Sequence, residues 1–201
     1  MKKIAIALMC MIMATGAAMA QKTFTWGPKI GVDYTHFWGK DIKHGGQLNY
    51  QAGLFMEYRL TDRFAIAPEV VFAAQGGKIK DFEVWGVKGD HTYNTNYVNI
   101  PVLLKLYVTP SFSIDLGPQL GINVYSKVTQ KTTVGEKENE VTKDLKDHTN
   151  TVDAGVALGM TYNIAKDVFV QGRYTMGMTK VFEGDADIYN GNAQIAIGYR
   201  F

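Results

Sequence analysis

Cysteine and proline are scarce in this sequence. Cys10 is the one cysteine, and five prolines are spread over 201 residues. Cys10 lies in an N-terminal segment that we expect to be removed, and Met9 precedes it where a lipoprotein signal requires a small residue. The mature chain would therefore offer neither a disulfide framework nor a thiolate metal site. The few prolines, without a Gly-X-Y period, argue against a collagen-like or low-complexity chain.

Long apolar runs are also missing after position 20. No run of 18 or more apolar residues occurs there, which excludes a helical membrane protein. The chain is 46% hydrophobic and 12% aromatic, which argues against intrinsic disorder. Its length of 201 residues fits one domain.

The first twenty residues have the pattern of a secretory signal peptide. Lys2 and Lys3 form a basic start, residues 4–13 a short apolar run, and Ala18 and Ala20 a small-x-small cleavage site. We expect residues 1–20 to be cleaved and residues 21–201 to form a single mature domain. Without the two lysines, 19 basic residues balance 19 acidic ones. A neutral chain without a basic run predicts no nucleic-acid partner.

Apolar and polar residues alternate with a period of two in three segments, 48–60, 112–124 and 152–164. All 21 even positions are apolar, and only Phe55 and Ala157 are apolar among the 18 odd positions. This period is typical of β-strands, because a helix repeats every 3.6 residues. Weaker alternation covers five more segments: 24–34, 64–74, 98–107, 168–178 and 193–201. Eight strands close into a barrel whose interior is just wide enough for side chains to fill.

The connections between the predicted strands alternate in length. Tight turns lie around residues 61–62, 109–111 and 165–167. The other four connections are long: 35–47, 75–96, 125–151 and 179–192. Short turns on one rim and long loops on the other are typical of outer-membrane barrels, whose short rim faces the periplasm. We therefore predict an all-β fold, an eight-stranded antiparallel transmembrane β-barrel with up-and-down order. Ten strands, with a further hairpin from the second or third long loop, are the alternative.

Residue volume indicates which face of the strands lies inside. A soluble lipocalin-like barrel would turn its apolar face inward around a lipid, whereas an outer-membrane barrel turns it outward. The apolar face carries the bulky residues, and the polar face carries many glycines, which suit a crowded or curved backbone. We therefore predict that the polar face, rich in small residues, lines the interior. Its ten charges balance, five of each sign: Lys29, Arg59, Lys105, Arg173 and Arg200 against Asp33, Glu57, Glu69, Asp115 and Asp153.

These inner charges suit either a filled core or a transport path. A turn centred at Pro110 places Lys105 opposite Asp115 on neighbouring strands, which favours a cross-strand ion pair. Because buried charges are stable only when paired, we expect a polar network that plugs the barrel. A small channel is the alternative.

A lipid-modifying hydrolase is a weaker alternative. If strands 5 and 6 continue as a hairpin centred near Glu138, Ser126 pairs with Asn150, and His148 is one step away on the same outward face. This placement resembles that of the serine and histidine in outer-membrane phospholipases. No elbow motif or orienting acid accompanies the two residues, so no enzymatic activity is predicted. The four histidines also lack ligand spacing, so we expect no metal and no cofactor.

The sequence resembles the small outer-membrane proteins of the PorT-like, outer membrane protein beta-barrel domain family, and more loosely the barrel half of OmpA. The resemblance covers nearly the whole mature chain, from the segment 26–31 to the end, and the segment 99–105 resembles the fourth-strand motif of this family. Tyr199 and the terminal Phe201 resemble the signal that the barrel-assembly machinery recognises. The resemblance implies export to the outer membrane of a Gram-negative cell and insertion among lipopolysaccharide and phospholipid.

The long loops are the expected place for any specific binding. The loop 75–96 carries apolar residues among charges, which suggests that its strands continue above the membrane. The loop 125–151 is a mixed-charge segment that we expect to be solvated. We predict a monomer with a structural or surface-interaction role, which binds an extracellular ligand through these loops.

Overall fold

In a computed structural model, the residues that the structure describes are 24–39, 44–84, 87–134, 137–144, 149–181 and 187–201. The expected signal peptide lies outside these ranges. The strands are β1 (Phe24–Gly39), β2 (His44–Gly45), β3 (Gln47–Arg59), β4 (Phe64–Val84), β5 (Val87–Thr109), β6 (Phe112–Val134), β7 (Lys137–Asp144), β8 (Val152–Asn163), β9 (Val168–Lys180) and β10 (Ile188–Tyr199). No helix in these ranges is long and apolar enough to cross a membrane.

Eight of these strands form a closed antiparallel barrel, as predicted. The order around the barrel is β1, β3, β4, β5, β6, β8, β9 and β10, and β10 pairs with β1 to close it. The two remaining strands lie outside the ring, since β2 pairs with β4 and β7 pairs with β6. The hairpin of β6 and β7 therefore adds a strand beside the upper part of β6, and the barrel itself keeps eight strands.

The three short turns lie at the predicted positions on one rim. Residues 60–63, 110–111 and 164–167 connect β3 to β4, β5 to β6 and β8 to β9. Two of the turns are held by a threonine hydroxyl. Thr61 Oγ1 accepts hydrogen bonds from the backbone N–H groups of Arg63 and Phe64, and Thr109 Oγ1 accepts one from Ser111. Side chains that accept local backbone hydrogen bonds in this way stabilise tight turns.

The outer surface of the barrel is apolar, which confirms the predicted assignment of the faces. Leu48, Ile195 and Ile30 are 74%, 62% and 60% exposed, whereas Gln194 and Ala196, the neighbours of Ile195, are buried. The lipocalin-like alternative is wrong, because the bulky apolar face surrounds no cavity. Aromatic side chains are exposed near the short-turn rim, where amphipathic rings suit the membrane interface: Phe24, Trp26, Tyr58, Phe64, Tyr162, Tyr199 and Phe201.

Glycines on the inner face allow neighbouring strands to approach closely. A Cβ atom on Gly117 would lie 2.0 Å from the carbonyl oxygen of Val102, and one on Gly27 would lie 1.7 Å from that of Tyr199. Gly172, which points outward, has no atom within 4 Å of the corresponding position. The narrow interior thus depends on the absence of a side chain at the inner positions.

Three strands are much longer than the others. β4, β5 and β6 contain 21, 23 and 23 residues, whereas β3, β8, β9 and β10 contain 12 or 13. The register of β4 with β5 continues to the pair Val84 and Val87, and β6 extends to Val134, which pairs with Lys137 of β7. The extra length forms a projecting sheet, defined as residues 75–84, 87–96, 125–134 and 137–144. The strands of the loop 75–96 continue as predicted, but the loop 125–151 contains paired strands and is not a solvated coil.

Candidate functional site

The ten predicted inner charges are distributed over seven of the eight barrel strands and the residue after β10. Eight of them are at most 9% exposed: Lys29, Asp33, Glu57, Glu69, Lys105, Asp115, Arg173 and Arg200. Arg59 and Asp153 are partly exposed, near opposite ends of the barrel. Alternation of side chains along each strand brings these groups from distant parts of the chain into one narrow space.

Glu69 on β4 is the centre of the first cluster. Its carboxylate oxygens lie 2.8 Å from Lys29 Nζ and 2.6 Å from Arg173 Nη2. Gln171 connects the two cations, because its Oε1 accepts hydrogen bonds from Lys29 Nζ at 2.8 Å and from Arg173 Nη2 at 2.6 Å. The strands β1, β4 and β9 are therefore joined across the interior by one charged group and its partners.

Asp115 on β6 is the centre of the second cluster. It lies opposite Lys105 in the register of β5 with β6, the pairing expected from a turn at Pro110, and its Oδ2 is 3.8 Å from Lys105 Nζ. Neutral groups donate the closer hydrogen bonds. These come from Ser113 Oγ at 2.7 Å, from Gln171 Nε2 at 3.0 Å and from the hydroxyl of Thr161. Since Gln171 also belongs to the Glu69 cluster, the two clusters are continuous.

Glu57 on β3 is the centre of the third cluster, near the short-turn rim. Its Oε1 accepts a hydrogen bond from the hydroxyl of Tyr107. Three cations surround the carboxylate at longer range: Lys105 Nζ at 3.4 Å, Arg59 Nε at 3.6 Å and Arg200 Nη2 at 3.7 Å. Arg59 also lies 4.0 Å from the centre of the Tyr107 ring, a cation–π contact.

The positive and negative charges balance in number but not in position. All five basic side chains lie within 4.0 Å of Glu57, Glu69 or Asp115. Asp33 and Asp153 have no ion pair with another described residue. Asp153 Oδ2 accepts a hydrogen bond from Asn190 Nδ2 at 2.7 Å, whereas both oxygens of Asp33 lack a hydrogen-bond partner in the described part of the chain. The interior thus has excess positive charge around three acids and excess negative charge nearer the long-loop end.

Residues that connect the charges were not identified from the sequence as part of this site. Ser113, Thr161, Gln171 and Tyr107 are buried and supply the hydrogen bonds between charged groups. All four are odd-numbered, so the period-two pattern contains the signal that places them inside. Phe55, an exception in the predicted polar face, packs its ring edge to face on Phe169 at 4.9 Å between centroids. It fills space in the lumen between polar groups.

The predicted outward position of Ser126 is wrong. Its side chain is 2% exposed, and its Oγ is 2.8 Å from Thr149 Oγ1. The cause is a β-bulge: Tyr97 pairs with Asn123 and Asn96 with Tyr125, so Val124 is an extra residue in β6. An extra residue exchanges the two faces of a strand beyond it, which turns Ser126 inward. The hairpin also centres between Val134 and Lys137 and not at Glu138.

The proposed partner of Ser126, His148, lies outside the described residues. Within the described ranges, no group of three or more His, Cys, Asp or Glu side chains is placed to hold a metal ion.

The two aromatic residues of the expected assembly signal lie on the outer surface at the end of β10. The ring centroids of Tyr199 and Phe201 are 5.1 Å apart, and the Phe201 ring also lies 5.0 Å from that of Trp26. The backbone N–H of Phe201 donates a hydrogen bond to the carbonyl of Trp26, which fixes the C-terminus beside β1.

Solved structures of small outer-membrane barrels are similar to this chain. Neisserial surface protein A (NspA) is 12% identical, with 88% of this chain and 97% of that chain covered and a TM-score of 0.48. The attachment invasion locus protein Ail of Yersinia pestis is 13% identical, with coverages of 90% and 100% and a TM-score of 0.46. CarO of Acinetobacter baumannii is 12% identical, with coverages of 85% and 97% and a TM-score of 0.41. No curated protein sequence matches significantly.

The family model of the outer membrane protein beta-barrel domain matches residues 19–183, most of the chain. This match agrees with the closed antiparallel barrel, its apolar outer surface and its one rim of short turns. The chain therefore belongs to the outer membrane protein beta-barrel domain family and is an integral protein of the outer membrane of a Gram-negative cell.

Proposed function

We propose that this protein is a closed, non-conducting and non-enzymatic barrel that presents its projecting sheet at the cell surface for interaction with an extracellular ligand. The observation that carries this proposal is the unequal length of the strands. At about 3.3 Å per residue and a tilt of about 40°, the 23 residues of β5 rise about 58 Å along the barrel axis, against an apolar band of about 25 Å.

The barrel occupies the membrane as a monomer, surrounded by lipopolysaccharide and phospholipid, after insertion by the barrel-assembly machinery. Its apolar outer face and the aromatic C-terminus support this part of the proposal. The strands β3, β8, β9 and β10, with 12 or 13 residues, are long enough to cross the apolar band and little more. The projection is thus confined to one side of the barrel, which suits a binding surface better than a symmetrical pore mouth.

The packed lumen supports a plugged interior over the alternative of a small channel. At mid-depth Ala67, Leu103 and Ala157 form an apolar cluster, each at most 3% exposed, beside the buried Glu69 cluster. A path for hydrated ions would require these groups to separate, and the charged partners would lose their hydrogen bonds.

Purified protein in planar bilayers is expected to give little or no stable conductance. The physical reason is the continuous packing of side chains across the lumen. Recordings at several voltages, with a porin as positive control in the same bilayers, measure this directly. Reproducible open states of large conductance would contradict the plugged interior and favour the channel.

Shortening the projecting sheet should abolish surface binding and leave the barrel intact. In the first variant an Asn-Gly turn replaces residues 79–91 between the paired residues Lys78 and Thr92, and in the second it replaces residues 130–141 between Thr129 and Thr142. Cells displaying each form are applied to arrays of polysaccharides and extracellular proteins. We expect at least one surface to bind the full-length form and not the shortened forms.

The shortened forms must also keep the change in gel mobility on boiling, which reports a closed barrel. Equal binding by all forms, or no binding above that of cells without the protein, would refute the surface-interaction role.

A further inference from the structure

The barrel interior opens at the short-turn rim into a cavity of about 470 Å³. We call this cavity the vestibule, and the lining residues that matter here are Glu57, Arg59, Asn163, Lys166 and Arg200. It lies between the end of β3, the turn after β8 and the residue that follows β10. On the assigned orientation of the barrel, the vestibule faces the periplasm.

The lining of the vestibule has an excess of positive charge. Three basic residues line it: the side chains alone of Arg59 and Arg200 are 34% and 10% exposed, and Lys166 on the turn is exposed. The acid among them, Glu57, is 3% exposed and is shared with Lys105, which lies deeper in the barrel. None of the three cations near Glu57 approaches it closer than 3.4 Å. Glu57 therefore neutralises this group incompletely.

Arg200 has hydrogen-bond donors without acceptors at this place. Its Nη1 donates to Asn163 Oδ1 at 2.7 Å. Its Nε and Nη2 are buried and have no hydrogen-bond acceptor among the described residues, although Nη2 lies 3.7 Å from Glu57 Oε2, an ion pair longer than a hydrogen bond. The guanidinium lies 4.7 Å from the centre of the Phe169 ring, a contact that limits its orientation. The Nε and Nη2 groups form one edge of the guanidinium, the edge that binds both oxygens of a carboxylate or phosphate.

We propose that the vestibule is a binding site for an oxyanion, a phosphate or carboxylate group held by the Nε–Nη2 edge of Arg200. Arg59 and Lys166 provide the additional positive charge, and both are more accessible than Arg200. The anion gives the Nε and Nη2 donors the acceptors that Glu57 does not provide, since buried donors are costly to leave unpaired. The volume exceeds that of a single phosphate ion, so it also accommodates part of the molecule that carries the anionic group.

The arginine side chains allow a direct test, because the chain has four arginines: Arg59, Arg63, Arg173 and Arg200. The full mature protein, labelled with ¹⁵N-arginine, is placed in phosphatidylcholine nanodiscs and titrated with inorganic phosphate. We expect saturable shifts of the Nε–H signals of Arg200 and Arg59. The signals of Arg63, exposed on a turn, and of Arg173, in the Glu69 cluster, should not shift.

Two substitutions test the contribution of the lining. Arg59→Gln and Lys166→Gln should each weaken phosphate binding, by up to about tenfold, with Arg63→Gln as the matched control that leaves it unchanged. Lys166 is exposed, so its replacement does not endanger folding. Absence of a saturable shift of Arg200, an equal shift of Arg63, or full affinity in both lining variants would each overturn the proposal.

A second experiment identifies the source of the anion. The same spectra are recorded in nanodiscs that contain phosphatidylglycerol and no free phosphate. A shifted Arg200 signal there supports a lipid headgroup as the ligand. An unshifted signal that still responds to inorganic phosphate supports a soluble anion.

Discussion

Replacing Glu69 by glutamine is expected to destabilise the barrel by about 3–5 kcal/mol, the usual cost of removing one partner from a buried ion pair. Glu69 binds Lys29 and Arg173, and all three side chains are at most 5% exposed. Without the carboxylate, two cations remain buried with no acid within ion-pair distance among the described residues. Urea unfolding of the protein in lipid vesicles, followed by gel mobility without boiling, measures the effect as a lower midpoint.

The double variant Lys29→Gln, Glu69→Gln provides the matched comparison. It removes one of the two unpaired cations, so it should be more stable than Glu69→Gln alone, which is the sign of direct coupling. Asp62→Asn, at an exposed position in a short turn, should leave the midpoint unchanged. A Glu69→Gln variant as stable as the parent would show that the Glu69 cluster does not stabilise the barrel.

Replacing Gly117 by alanine is expected to prevent the barrel from closing correctly. The new Cβ would lie 2.0 Å from the carbonyl oxygen of Val102, where ordinary contact begins at 3.4 Å, so the backbone of β5 must move. Overpacking a tight interior costs about 1–3 kcal/mol, and a clash with backbone belongs at the upper end of that range or above it. We expect most of the protein to lose its heat-modifiable gel band after refolding.

Gly172→Ala is the matched control for this substitution. Gly172 lies in the middle of β9 on the outer face, and a Cβ there meets no atom within 4 Å. The same chemical change should therefore leave assembly and the gel band unaffected. If both variants assemble equally well, close approach at the inner glycines does not limit barrel closure.

The fold was predictable because two independent signals in the sequence agree. The period of two defines the strands, and the alternation of short and long connections defines the rims, as at Thr61 and Thr109, which hold two of the turns. The inner position of Lys29 or Asp115 follows from the same period, since a residue between two outward apolar neighbours must point inward.

Features that depend on contacts between strands were not predictable in this way. The bulge at Val124 depends on how β5 and β6 pair, and no residue type in β6 marks it, so the direction of Ser126 was wrong. The partners within the lumen depend on the relative heights of strands that are far apart in sequence. For this reason Glu69 could be placed inside from the pattern, while its contacts with Lys29 and Arg173 could not.

The Glu69 cluster also constrains the order of folding. Lys29 and Gln171 are 142 residues apart, and Glu69 and Arg173 are 104 apart, so their contacts form only when β1 and β4 meet β9. Hairpins that form early, such as β3–β4 or β8–β9, carry these polar groups without their partners. A partly closed sheet would expose unpaired charges to lipid, which makes such intermediates unstable. We therefore expect the hydrogen bonds between β1 and β10 and the ion pairs of the lumen to form together, when the barrel closes.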